Sequence, residues 1–229
     1  MVFSRRVLLV LAASSLVVVT GCGSGTKHTV GGLPLWQRVI QGGGELSGYD
    51  PQIQPPAILN LAQFVEQAQP SFVRITPASA RKELTADGFK MATIENLLNP
   101  GQKTTTVASS VILVGSPAQA QHAVDWSADD SLKQCRLLCN SGFNAVKISG
   151  IPAARGAHRA NLGDVKPFES YNILFADGSF VYDLFVLGPK PGAAKQNDLI
   201  APVKAQYKRV KGAPLPRFLV RRGGAVRKP

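Results

Sequence analysis

The sequence predicts an α+β domain, a mainly antiparallel β-sheet of about four to six strands with helices packed on one face. Three observations predict it. Tyr171, Ile173 and Phe175 alternate with polar or small residues, Asp177-Gly178 intervenes, and Phe180, Tyr182, Leu184 and Val186 alternate again, the strongest short-range hairpin pattern. A β-branched run, Thr104 to Val114, is followed by Ser116-Pro117 and a helical stripe. Amphipathic helical periodicity recurs near both ends of the domain.

In chain order, Ile58, Leu61, Ala62 and Val65 keep the spacing of one helix face, and Pro70 stops that helix. Phe72 to Thr76 reads as a short strand. Thr76-Pro77 supplies a cap and a first helical residue for a short turn through Leu84, which Asp87-Gly88 breaks. Asn99-Pro100-Gly101 is a turn, and the Thr104 to Val114 strand follows it. Along the helix opened by Ser116-Pro117, Ala120, Val124, Ala128, Leu132 and Cys135 form one apolar stripe. Ala145 to Ile151 is a further strand, closed by Pro152. The hairpin comes next, its turn placed at Asp177-Gly178 as type I′, with positive φ at both central residues. Asp198 then caps a last helix in which Ile200, Val203, Tyr207 and Val210 face inward and Lys204, Lys208 and Lys211 share the outer side. Pro202 is tolerated there if it falls within the first turn, where amides lack intrahelical partners.

The amino terminus has a different character. Arg5 and Arg6 precede an apolar and small-residue run, Val7 to Val19, with no acid before it. As a helix that run spans roughly 20 Å, short of the hydrocarbon core of about 30 Å that a spanning helix must cross. It reads as a signal peptide. The run ends in Val19-Thr20-Gly21-Cys22, which resembles the bacterial lipobox: an aliphatic residue, two small residues and a cysteine. The resemblance implies cleavage between Gly21 and Cys22, a diacylglyceryl thioether on the Cys22 thiol and an acyl group on the new amino terminus. Two or three chains hold a membrane durably where one does not. An ordinary secretory signal with Cys22 as an incidental thiol is the alternative.

The expected organisation is a lipoprotein signal peptide at 1–21, a lipidated flexible tether at 22–56, one extracytoplasmic α+β domain at 57–212 and a basic tail at 213–229. The tether rests on the small, polar run Gly23 to Gly32, on Gly42-Gly43-Gly44 and on Pro51, Pro55 and Pro56. With 229 residues and 45% hydrophobic content, the chain can bury a core.

The net charge of +12 is unevenly placed. From Lys147 to Pro229 there are fifteen Lys or Arg against five Asp or Glu, and from Lys204 onward nine basic residues and no acid. Such a region attracts polyanions. Outside the membrane these are anionic lipid headgroups and wall polymers, so no nucleic acid is expected as a partner. A solvated basic tail without a dedicated partner fits the pattern equally.

Cys135 and Cys139 remain in the mature chain at C-x3-C spacing. An oxidising exterior permits a disulfide between them, provided the helix breaks there; two free, buried thiols are the other reading. The spacing is not that of a redox motif, and with His122 the nearest imidazole, no zinc set forms, so neither metal nor cofactor is expected. No G-x-S-x-G elbow is present, and Gly101-Gln102-Lys103-Thr104 lacks the glycine spacing of a phosphate loop. Arg155, His158 and Arg159 crowd one glycine-containing loop after Pro152, a candidate anion site or simply a solvated basic loop. Asp125, Asp129 and Asp130 form an acidic patch, able to do acid–base work or hold a cation, or merely solvating a helix face.

The order of Ala145 to Pro152, the Ile173 to Gly178 and Phe180-Val181-Tyr182 stretches, and a basic terminal helix with Tyr207-Lys208-Arg209-Val210 resembles small extracytoplasmic lipoproteins of high-GC Gram-positive bacteria, some with PsbP-like α+β domains. The matching residues form a fold, not a chemistry, so the resemblance implies architecture and compartment alone. The expectation is a lipid-anchored, non-enzymatic binding or accessory protein on the outer face of the plasma membrane, its partner unknown. The rivals are a domain that binds anionic lipid or wall polymer through its basic carboxy-terminal region, and an envelope hydrolase with no visible motif.

Overall fold

The computed structural model describes residues 32–52, 56–68, 77–99, 105–138, 141–146, 148–161, 168–189, 192 and 196–214. The signal peptide, Cys22, the expected strand Phe72 to Thr76, Lys103, Cys139 and most of the basic tail lie outside these residues. Among the described residues seven strands form one sheet: β1 (Asp50–Pro51), β2 (Met91–Leu98), β3 (Thr106–Leu113), β4 (Ser141–Val146), β5 (Arg155–Asn161), β6 (Phe168–Asp177) and β7 (Phe180–Gly188). The order is β1-β2-β3-β7-β6-β5-β4, with every neighbouring pair antiparallel. The α+β class holds, with more strands than expected.

The hairpin forms between β6 and β7, but the closing pair is Asp177 with Phe180, so the central residues are Gly178 and Ser179. Of these only Gly178 has positive φ, at 56°. Glycine at the first central position is the φ pattern of a type II′ turn, in place of the expected type I′. Two other strands differ from the sequence reading. β4 ends at Val146, before the expected Ile151, and Arg155–Asn161 is a strand where a loop was expected. Gly156 explains why that pair closes: a Cβ there would lie 2.8 Å from Val146 Cβ, so only glycine lets the two strands meet. β2, between β1 and β3, carries no recognisable alternation of its own and is recruited by its neighbours.

The helices are α1 (Leu61–Gln67), α2 (Pro77–Ala86), α3 (Pro117–Leu138) and α4 (Gln196–Val210). Asn60 starts α1 with a capping box, its side chain accepting from Gln63 N–H at 3.0 Å while Gln63 reaches back to the Asn60 amide. Ile58 therefore lies outside the helix, half exposed. Ser116 caps α3 as expected, accepting from the Gln119 amide at 3.2 Å. α4 starts two residues before Asp198, so Pro202 sits beyond the first turn and removes one helical hydrogen bond. Among the described residues no helix is long and apolar enough to cross a membrane.

Both faces of the sheet are covered, not one. Phe64, Val65, Ala80, Leu84, Ala120 and Val124 of α1, α2 and α3 pack with Ile112, Leu174 and Val181. On the other face Leu199, Val203 and Val210 of α4, with Leu35, Val39 and Ile40, cover Ile173, Phe175, Tyr182 and Leu184. The cause is written in β6 and β7, where consecutive residues such as Ile173, Leu174 and Phe175 are all buried. A strand apolar on both sides needs cover on both sides. The second cover includes chain that the sequence reading assigned to the tether: Leu35, in a 3-10 turn (Leu35–Gln37), and Ile40 are 1% exposed. Among the described residues, every buried one lies between Leu35 and Val210.

Candidate functional site

The basic residues singled out from sequence lie on β5, and strand geometry separates them. Arg155 and Arg159 stand opposite Leu174 and Ser170 on the α3 face, whereas His158 stands opposite Tyr171 on the α4 face. Arg155 Nη1 donates to Asp125 at 3.1 Å and Nη2 to Asp129 at 2.7 Å. Arg155 of the basic candidate is thus paired with Asp125 and Asp129 of the acidic patch, and the guanidinium pKa is raised, chiefly by the hydrogen bond to Asp129. Arg159 is buried, donates to Ser170 Oγ at 3.1 Å, and lies 6.0 Å from the Phe185 ring centroid.

His158 belongs to a separate cluster. Its ring stacks on Tyr171 at 4.4 Å, and Nε2 lies 2.8 Å from Glu169 Oε1. The Tyr171 hydroxyl donates to the same oxygen at 3.3 Å, while the Gly192 amide donates to Oε2 at 2.7 Å. Burial, reinforced by the Glu169 charge, pushes the Tyr171 hydroxyl up to about 12. His122 is likewise tied: Nδ1 meets Asp87 Oδ1 at 2.7 Å, and Trp126 Nε1–H donates to Asp87 Oδ2 at 3.1 Å. These contacts join the end of α2 to α3. Cys135 lies on α3, which continues to Leu138. Among the described residues no three His, Cys, Asp or Glu side chains gather to hold a metal ion.

A cavity of about 280 Å³ opens at the β1–β2 side of the sheet, on the α4 face. Trp36, Val39, Ile40, Pro51 and Pro56 form apolar walls; Gln41, Gly42 and Glu95 complete it. It exists because the amino-terminal segment folds back on itself. A Cβ on Gly42 would lie 2.5 Å from the Tyr49 carbonyl oxygen, so this approach requires glycine. Ile40 N–H donates to Ser109 Oγ at 3.0 Å, fixing the segment to β3. Glu95 is 3% exposed and accepts from the Gln52 amide at 3.1 Å, whereas Trp36 stays 37% exposed. Local sequence barely marks this site. Its one signal was the helical spacing of Leu35, Val39 and Ile40, hidden among glycines and prolines.

No protein-family model matches the chain, and no curated protein matches its sequence. Among solved structures it is similar to the extracellular domain of PknH from Mycobacterium tuberculosis, with 14% sequence identity, a TM-score of 0.43, and coverage of 71% of this chain and 81% of that one. A likeness at that level assigns no activity.

Proposed function

We propose that the chain is a lipid-anchored, extracytoplasmic binding or accessory module of a bacterial cell envelope, attached to the outer face of the plasma membrane through Cys22. The observation that carries it is Val19-Thr20-Gly21-Cys22 directly after an apolar run too short to span. A non-enzymatic reading is supported by the dispersal of the candidate catalytic groups, with Arg155 and His158 on opposite faces and each already engaged. Binding is supported by the Trp36–Glu95 cavity. Replacing Cys22 with Ser tests the anchor. Loss of lipid labelling and release from the membrane fraction are expected, and continued labelling overturns it.

A second reading, binding of anionic lipid or wall polymer, is favoured by exposed Lys204 and Lys208 on α4 and exposed Lys211 just after it, ahead of the basic tail. Arg38 donates to the carbonyl oxygens of Ala213 and Pro214, so the domain reaches at least to Pro214 and a clean truncation removes 215–229. Co-sedimentation with anionic vesicles should then weaken, with a shallower salt dependence carried by the lysines that remain; binding unchanged both by this truncation and by alanine at Lys204, Lys208 and Lys211 sinks this reading.

A further inference from the structure

We infer that the carboxy-terminal end of α4, with Lys204, Lys208 and Lys211, docks on the anionic lipid surface of the membrane that holds the anchor, fixing the domain in one orientation. The inference rests on the reading of Cys22 as the lipid site and commits the exposed lysines to one partner, a bilayer surface.

Chain length comes first. The expected tether ran to residue 56, yet Leu35 is already 1% exposed, and the Leu33 carbonyl oxygen accepts from Arg38 Nε at 2.9 Å. Leu33 is the eleventh residue after Cys22. Fully extended, eleven residues reach roughly 40 Å at most. The anchor therefore keeps the entry point of the domain close to the bilayer.

The entry point is also where α4 ends. One guanidinium, that of Arg38, donates to the carbonyl oxygens of Leu33, Ala213 and Pro214. Lys211 lies two residues before Ala213, its amide donating to the Tyr207 carbonyl oxygen at 2.9 Å. Lys208 and Lys204 lie behind it at helical spacing, Lys204 roughly 10 Å from Lys211 along the axis. All three are exposed. The chain that carries the anchor thus enters beside the lysines, and α1 and α2 lie on the other face of the sheet.

Charge decides what this end meets. From Lys204 to Pro214 there are three lysines, Arg209 and no acid. Glu45 is occupied by Arg209 Nε at 2.7 Å, and Asp177 Oδ2 accepts from the Gly212 amide at 2.8 Å. Four cations against these two carboxylates leave a positive surface. Attraction to anionic headgroups fades within about 10 Å at 0.1 M salt, so it needs an anchor to supply the approach. A lipid chain and a basic patch together hold a membrane better than either alone. Lysine suits such a surface, because its hydrocarbon stem lies along apolar groups while the ammonium reaches outward. Lys211 has that arrangement, with Nζ 5.8 Å from the ring centroid of half-buried Tyr207, an aromatic type common at membrane interfaces. A wall polymer would meet the same charges, but the anchor fixes only the bilayer within reach.

The test uses the lipidated chain inserted into preformed vesicles and a membrane-impermeant amine-acetylating reagent, with acetylation of each lysine read by mass spectrometry. Lys82, exposed on α2, is the internal control. In vesicles containing phosphatidylglycerol, Lys204, Lys208 and Lys211 are expected to react about threefold or more slowly than in neutral detergent micelles, with Lys82 unchanged. Concentrated salt should restore their reactivity while the protein stays on the vesicles. Equal reactivity of the three lysines in vesicles and micelles overturns the docking and leaves the anchor standing. Slowing of Lys82 to the same degree contradicts a single orientation. The same protection in pure phosphatidylcholine removes the charge basis and refutes the partner. Protein that does not stay with the vesicles refutes the lipid on Cys22, and the docking with it.

Discussion

Arg38 Nη1 donates to the Tyr182 hydroxyl at 2.9 Å, across 144 residues of sequence. The guanidinium is fully buried, lies 3.9 Å over the Phe180 ring centroid, and donates as well to the carbonyl oxygens of Leu33, Ala213 and Pro214. Arg209 repeats the device from the opposite side, donating from α4 to the carbonyls of Gln37 and Val39 and to Glu45. Gln206 Nε2 closes the joint on the Arg38 carbonyl at 2.8 Å. The amino-terminal segment is thereby locked to α4 and to the centre of the sheet.

Replacing Arg38 with Leu removes the donor from the buried Tyr182 hydroxyl and from three part-buried carbonyl oxygens, and hydrogen bonds from a charged group are worth more than neutral ones. A loss on the order of 3 kcal/mol is expected in chemical denaturation. Burial pushes the Tyr182 hydroxyl up to about 12, and Arg38 opposes that rise. The variant should therefore ionise Tyr182 at still higher pH, read from phenolate absorbance. A variant as stable as the parent would show that the clamp is dispensable.

Asp183 carries a second, pH-dependent prediction. Burial lifts its carboxyl from 3.8 to about 7, against the lowering effects of the Asn172 hydrogen bond, 2.6 Å long, and of Arg159. A folded-state pKa above the unfolded value favours the fold below about 4 and loses that contribution as pH rises through 7. Asp183→Asn is uncharged throughout, so its melting temperature should exceed that of the parent at pH 8 and show no such advantage at pH 4. Thermal melts at the two values decide it, and an Asn variant that gains equally at both contradicts the assignment.

Arg155 bridges β5 to α3, yet its side chain is 35% exposed and its partners Asp125 and Asp129 are 45% and 51% exposed. Exposed ion pairs of this kind contribute about 0.5 kcal/mol and weaken with salt. Arg155→Ala should cost no more than about that in urea denaturation, with the difference shrinking in 1 M salt. A loss several times larger would show that the bridge positions α3 on the sheet.

Where local chemistry was strong, the elements were legible. Ser116-Pro117 opened α3, Thr76-Pro77 announced the start of α2, and the alternating runs of β6 and β7 paired around Gly178. Where a residue's role depended on what it met, they were not. Arg155, His158 and Arg159 looked like one basic loop because they are close in sequence, but a strand sends neighbours to opposite faces. Leu35, Val39 and Ile40 looked like part of a tether because glycine and proline surround them, yet the uncovered face of Phe175 and Tyr182 drew them in.

By itself the sequence determined the antiparallel α+β class, the central hairpin, the starts of α2 and α3 and the basic character of the carboxy-terminal third, because these follow from turn chemistry, periodicity and composition acting over a few residues. Tertiary structure alone decided which face each β5 residue serves, that residues 33–52 belong to the domain, and that Trp36 and Glu95, 59 positions apart in the chain, line one cavity. The physical reason is burial. Apolar surface on both sides of β6 and β7 had to be covered, and no local pattern says which distant segment will cover it.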